Sequence, residues 1–272
     1  MKPGSIVSID RWSLVAELAS RIGPAREPIA EPREGLGVFA IAELTPSQRA
    51  GMLRLLQSCY ANVTPDQFQK DLSEKEWAIV GTDDSGEVWC FTTLKRIRHE
   101  VDGKRIMAFY SGDTASRPDT RGTATSAGIW FLIRKMFGEV AADPDAEYYW
   151  FMISSTYKSF RLLSRMFVDY APSPERDLTA RERKILADLA RIKKFEYDAE
   201  RSIVRFENAS IPRVDEPGEA GRQKSDPIAA FFDAANPGAG NGERLASLTA
   251  LRLDNLTPVG RRFVLDSEPG YE

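Results

Sequence analysis

One histidine and two cysteines are all that this 272-residue chain has of the residue types that most often hold metals or attack carbonyls. With His99 alone, a Ser-His-Asp triad or a multi-histidine metal site is nearly excluded. Cys59 and Cys90 are too few for a disulfide framework, and the expected setting is a reducing cytoplasm. Both read as core residues, Cys59 on a helical apolar face and Cys90 within a strand. Basic excess is also missing: the net charge of −3 argues against a general nucleic-acid binder. No apolar run approaches the roughly 20 residues of a membrane span. The opening MKPGSIVSIDRWSLVAELASRIG lacks a continuous apolar core and carries Asp10 and Glu17, which argues against a secretory leader.

What remains is the composition of a globular protein, with 42% hydrophobic and 28% charged residues. The expected organisation has three parts. Residues 1–42 hold a short amphipathic candidate (Trp12, Val15, Leu18, Ile22) and a Pro/Glu-rich linker. Residues 43–210 form the main domain, and residues 211–272 a polar linker followed by a helical extension. Two helix starts open the domain. Thr45-Pro46-Ser47-Gln48 and Thr64-Pro65-Asp66-Gln67 both set Thr at the N-cap, Pro in the first turn and Gln three residues on. Strands are expected over 76–82, 87–98 and 105–116, joined by Asp-Ser-Gly and Asp-Gly turns. A helix follows, then the nearly continuous apolar strand Tyr148–Ser154, a helix from Tyr157 and another over 177–194. In the tail, 226–235 reads as helix, 236–242 as a turn-rich loop, and 243–253 as a second helix on the spacing of Leu245, Leu248 and Leu251.

The most informative junction lies between the third strand and its helix. Arg121-Gly122-Thr123-Ala124-Thr125-Ser126 follows a Pro-marked turn and opens the helix. A helix start presents unpaired N–H donors and the positive end of its dipole, and small residues let an anion approach. These six residues resemble the Arg/Gln-x-x-Gly-x-Gly/Ala acyl-CoA-binding motif of the GNAT superfamily of N-acyltransferases. Arg121 and Gly122 match by position. Ala124 and Ser126 stand where the family prefers Gly, which reduces backbone freedom. The element order, a helix pair, three antiparallel strands, helix, buried strand and helix, is that family's order as well. The resemblance implies an α+β fold with a GNAT-like mixed, mostly antiparallel central sheet flanked by helices, with helical extensions at both ends.

It also implies a cofactor and a set of residues. Acetyl-CoA or a longer acyl-CoA is the expected co-substrate, with no metal. Arg121, Gly122, Thr123, Ala124, Thr125 and Ser126 would hold its pyrophosphate. Ser116 would bond the pantetheine arm, and Ser154, with Ser155 at the strand end, would contact the cofactor. Lys158 and Arg161 are near enough in sequence to meet its phosphates. Asp113, in Ser111-Gly112-Asp113-Thr114, is the candidate base, or a structural Asp bonding nearby N–H groups. Gly112 within a strand suggests a bulge or a close backbone approach. Tyr157 is the candidate acid for the departing thiolate, or a packing aromatic among Tyr148, Tyr149, Trp150 and Phe160. The implied function is acyl transfer from a thioester to an amine on a small molecule or peptide. Two alternatives stand beside it: a non-catalytic CoA- or acyl-binding sensor or scaffold, and a transferase using acyl carrier protein as donor.

Overall fold

The computed structural model describes residues 35–117, 123–213 and 226–265. A first strand, β1 (Leu36–Ala40), precedes the helix pair. The side chain of Thr45 caps α1 (Pro46–Cys59), accepting from the Gln48 N–H at 3.2 Å while Gln48 Oε1 accepts from the Thr45 N–H at 2.9 Å. Thr64 caps α2 (Pro65–Ser73) through the Gln67 N–H at 3.3 Å. Between the helices lies the short β2 (Tyr60–Ala61). Then come the antiparallel strands β3 (Trp77–Thr82), β4 (Val88–Val101) and β5 (Lys104–Ser116). The β4–β5 turn has Asp102 at φ 53° and Gly103 at φ 73°, the left-handed pair that a two-residue hairpin requires. The chain continues through α3 (Thr123–Ala142), β6 (Glu147–Ser154), α4 (Tyr157–Met166) and α5 (Ala180–Ile192). A hairpin, β7 (Glu196–Asp198) and β8 (Ile203–Arg205), follows, then the short β9 (Ile211–Pro212). The last part is α6 (Pro227–Ala235), β10 (Arg244–Ala250) and α7 (Pro258–Leu265).

Eight of these strands form one mixed sheet in the order β1-β3-β4-β5-β6-β10-β8-β7. All of its pairings are antiparallel except β5 with β6. One face carries α3, α4, α6 and α7, with Trp130, Ile133, Phe137, Phe160, Leu163, Phe232 and Val264 packed on Leu94, Phe109, Trp150 and Leu245. The other face carries α1 and α2, whose Met52, Leu55, Phe68 and Leu72 cover Ala78, Val80 and Phe91. It also carries α5, whose Ile185, Leu186 and Leu189 cover Ala108, Tyr110, Phe151 and Leu248. Fully burying side chains of this size contributes about 1.5–3 kcal/mol each, which makes the two faces one cooperative core.

The structure departs from the sequence reading in two places. Leu36–Ala40, counted there with the N-terminal linker, pairs with β3 from Leu36↔Gly81 to Ala40↔Trp77 and forms the edge of the sheet. The expected helix over 243–253 is a strand. Leu245, Leu248 and Leu251 lie three apart, which imitates helical spacing. Arg244–Thr249 are all buried, however, because β10 has strands on both edges and helices on both faces. A strand buried on both faces loses its alternation, so its apolar positions no longer report their period.

Candidate active site

The site begins where the one parallel pair comes apart. β5 and β6 pair from Ile106↔Glu147 to Tyr110↔Phe151 and no further. β5 continues along β4 to Cys90↔Ser116, and β6 continues along β10 to Leu245↔Ser154. The two strands therefore diverge into a wedge while each keeps its outer neighbour. A bulge drives the divergence. Thr92 pairs with Thr114 and Leu94 with Ser111, so Gly112 and Asp113 together face the single residue Thr93. An extra residue bends its strand and re-aims the side chains beyond it. The Arg117 N–H donates to the Trp89 carbonyl of β4 at 2.8 Å. Backbone groups alternate along a strand, so Thr114 and Ser116 turn theirs away from β4 and into the wedge.

At the wedge mouth both following helices begin on the same face. α3 starts at Thr123, and Thr123, Ala124, Thr125 and Ser126 form its first turn. Arg121 and Gly122 lie outside the described residues. Thr156 caps α4, its Oγ1 accepting from the Ser159 N–H at 3.3 Å. Ser154, the last residue of β6, is fully buried, and its Oγ has no hydrogen-bond partner.

Asp113 projects to the opposite face, towards α1 and α2. It opens on a hollow of about 30 Å³ lined by Leu56, Asn62, Val63, Gln67, Phe68, Asp71 and Ser210. A hollow of that size holds about two water molecules, so an acceptor group would enter it only at its mouth. Beside it stands Lys75, 8% exposed, whose Nζ donates to the Asp71 carbonyl at 2.9 Å and lies 5.6 Å from the centre of the Tyr110 ring. Lys75 reaches this position because residue 112 is glycine. A Cβ there would lie 2.5 Å from Lys75 Cε and 2.6 Å from Thr93 Oγ1. Burial lowers the Lys75 ammonium below its ordinary range, with Asp113 opposing. Burial raises the Asp113 carboxyl, with Lys75 opposing. Titratable groups perturbed by burial and by a charge partner, set in a cleft, mark a candidate functional site.

Tyr157 lies on the α3/α4 face, and its hydroxyl donates to the Asp226 carboxylate. Asp226 is itself the N-cap of α6, accepting from the Ile228 N–H at 2.9 Å. Burial first, and then this carboxylate, pushes the Tyr157 phenol up to about 12. Arg161 lies 3.6 Å from the same carboxylate.

Two residues that the sequence reading passed over also belong here. Tyr60 follows α1 in the connection to α2, and its hydroxyl donates to the Thr114 carbonyl, inside the wedge, at 3.4 Å. Its neighbour Cys59 sends Sγ to the Ser116 carbonyl at 3.6 Å. The connection is pinned by β2 pairing with β9, by the Arg213 N–H donating to the Cys59 carbonyl at 2.9 Å, and by Asn62 at φ 62°. Arg244, on β10, is 6% exposed and donates to the backbone carbonyls of Ser210 and Glu243. An aromatic four residues before the Thr64 cap, in the short connection between the two helices, was the available signal for Tyr60. Arg244 was hidden by the helical reading of its strand.

Among the described residues no group of three or more His, Cys, Asp or Glu side chains could hold a metal ion, and no helix is long and apolar enough to cross a membrane. No protein-family model and no curated protein sequence matches the chain. Solved structures do. A probable N-acyltransferase from Enterococcus faecalis is 18% identical over 48% of this chain and 33% of its own, with a TM-score of 0.35. A GNAT family N-acetyltransferase from Escherichia coli, in complex with CoA, is 12% identical over 83% of this chain and 86% of its own, with a TM-score of 0.35. Glucosamine-6-phosphate N-acetyltransferase from Arabidopsis thaliana is 12% identical over 48% of this chain and 89% of its own, with a TM-score of 0.34. Likenesses at these TM-scores carry nothing about activity. The topology has the form expected from the sequence: a mixed, mostly antiparallel sheet flanked by helices, with one parallel pair that splays and a helix following the strand on each side of the splay.

Proposed function

We propose that this protein is an N-acyltransferase that uses an acyl-CoA thioester and a small amine acceptor. The single observation behind this reading is the wedge between β5 and β6, with α3 starting at its mouth and Asp113 on the hollow opposite. The fit to CoA can be judged from the chain. An extended pantetheine arm needs strand backbone turned away from its own ladder, and Thr114 and Ser116 turn theirs into the wedge, where the Tyr60 hydroxyl and the Cys59 thiol reach their carbonyls. A diphosphate needs helix-start N–H groups, which the first turn at Thr123–Ser126 supplies. Arg121 and Gly122 complete that assignment, and Ser116 and Ser154 flank the arm from the two strands. When bound, the thioester supplies an activated acyl carbon.

Asp113 serves as the base in this reading. Its carboxyl, raised by burial, takes the proton that the amine loses as it bonds to the acyl carbon. Lys75 opposes that rise and favours the carboxylate. Leu56, Val63 and Phe68 give the hollow beside it one apolar wall.

A non-catalytic CoA-binding reading draws on the commitment of the Tyr157 proton to Asp226. One experiment separates the two. Calorimetry with acetyl-CoA and a longer acyl-CoA should show saturable binding, weakened in Gly122→Glu, and thiol release should appear with at least one member of an amine panel. Tight binding with no thiol release from any acceptor would favour the sensor, and no binding at all would remove both readings.

A further inference from the structure

The transferase reading leaves open which group protonates the departing sulfur. Tyr157, the residue that family resemblance points to, already gives its proton to Asp226 on the α3/α4 face. The Tyr157 hydroxyl is thereby tied to a carboxylate that Arg161 also approaches, away from the diverging strands. Two other phenols lie near Asp113 and Arg244: Tyr110 is buried in the core under α5, and Tyr60 stands between the diverging strands. Its hydroxyl reaches Thr114 on β5, and the Ser155 side chain just beyond β6 interacts with the same phenol. Arg244 and Asp113 supply the charges around it.

We propose that Tyr60, and not Tyr157, donates the proton to the sulfur of the thioester, with Arg244 as the positioning residue that supports the resulting phenolate. The inference rests on the transferase reading above. The amine nitrogen bonds to the acyl carbon and loses one proton to Asp113. The carbon–sulfur bond breaks, the sulfur keeps the electron pair, and Tyr60 gives it the phenolic proton. The proton held by Asp113 then returns to Tyr60, so that one thioester and one amine yield one amide and one free thiol.

Arg244 gives the assignment a second, independent footing. A guanidinium only 6% exposed that bonds backbone carbonyls has no carboxylate within ion-pair distance among the described residues, and Asp113 acts on it only from further away. Such a charge is costly unless an anion forms beside it. Burial lowers the Arg244 guanidinium, and the first charge opposing that shift is the Tyr60 phenol. Burial raises the Tyr60 phenol, and Arg244 is the first group that pulls it back. The wedge thus holds one phenol whose charged form has a waiting counter-ion, and that phenol is the one turned between the strands.

The test compares Tyr60→Phe with Tyr157→Phe in the full chain, using acetyl-CoA and whichever amine supports thiol release by the wild type. Tyr60→Phe should reduce kcat by about 10²–10⁴-fold, the usual loss for a general acid. Calorimetry should give it an unchanged Kd for free CoA. Tyr157→Phe, which keeps the Tyr60 proton, should fall short of that loss by at least about tenfold, or 1.4 kcal/mol in barrier. An ultraviolet titration supplies a readout apart from turnover: the phenol missing from Tyr60→Phe should ionise at higher pH in Arg244→Gln, and Arg244→Lys should restore part of the shift. Full kcat in Tyr60→Phe, or an equal loss in Tyr157→Phe, would overturn the assignment while leaving the transferase reading intact. A wild type without thiol release would remove both.

Discussion

Replacing Lys75 with Met and Asp113 with Asn, singly and together, measures the coupling on which the proposed base depends. The two groups influence each other through a buried medium without meeting at ion-pair distance. A pair in contact at ~4 Å is worth about 4 kcal/mol at an effective dielectric near 20, so this more distant pair is worth less. An exposed pair is worth about 0–1 kcal/mol, and burial lifts this one above that range. Urea denaturation of the four proteins at neutral pH should therefore return a coupling of about 1–4 kcal/mol. Each single change leaves one buried charge uncompensated, so the double variant should be more stable than additivity predicts. The pH dependence has a sign that can be worked out. Asp113 has a raised folded pKa, so its contribution is fully present below the unfolded value near 3.9 and is lost as pH rises through the folded value. Lys75→Met raises that folded value further, and the deficit of this variant should deepen as pH climbs from about 4 upward. Lys75 has a lowered folded pKa, so its penalty disappears only as pH approaches the unfolded value near 10.4. Asp113→Asn lowers it further, and that variant should regain stability towards alkaline pH. A coupling below about 0.5 kcal/mol would mean that the two charges do not sense each other, and the case for Lys75 tuning the base would fail.

The elements with strong local signals were legible before the structure. Thr45 and Thr64 sit at helix starts because their hydroxyls satisfy N–H groups that the helix cannot, and that chemistry is local. The long strands and their Asp-Gly turn are local as well, and Gly112 does mark a bulge. The junction after β5 was legible as a strand followed by a helix. What escaped the sequence depends on partners far away in the chain. β1 is a strand only because β3 offers it an edge. β10 is a strand only because β6 and β8 lie on either side of it. Tyr60 enters the wedge because β9, some 150 residues later, pins its connection. The link from Tyr157 to Asp226 joins a helix start to a cap 69 residues away, and nothing in either neighbourhood announces the other. Local chemistry singled out Asp113 and residues 121–126 as candidates, while the groups around the proposed proton donor came together only through tertiary pairing.

Two further predictions concern how the site and its support are held. Gly112→Ala should destabilise the protein by about 1–3 kcal/mol, as overpacking does, because the new methyl would fall 2.5 Å from Lys75 Cε and 2.6 Å from Thr93 Oγ1. An unchanged melting temperature would show that Lys75 swings aside freely, and the close approach would lose its meaning. The second concerns the tail, which the structure makes part of the central sheet. β10 fills the gap between β6 and β8, and α6 sets Phe231 and Phe232 against Phe160 with ring centres 5.7 and 5.6 Å apart. Leu248, 1% exposed in β10, belongs to the core under α5. Leu248→Ala should cost about 2–5 kcal/mol and lower a single, cooperative transition for the whole chain. Ending the chain at residue 213 would strip the β6 edge over Tyr149–Ser154 of its antiparallel partner and uncover the apolar side of α4. Such an unpaired, apolar edge is a template for aggregation, so the truncated protein should be insoluble or unfolded. A soluble truncation with native stability would mean that β10 is an appendage, and with it would go the argument that Arg244 is held in place beside Tyr60 by the sheet.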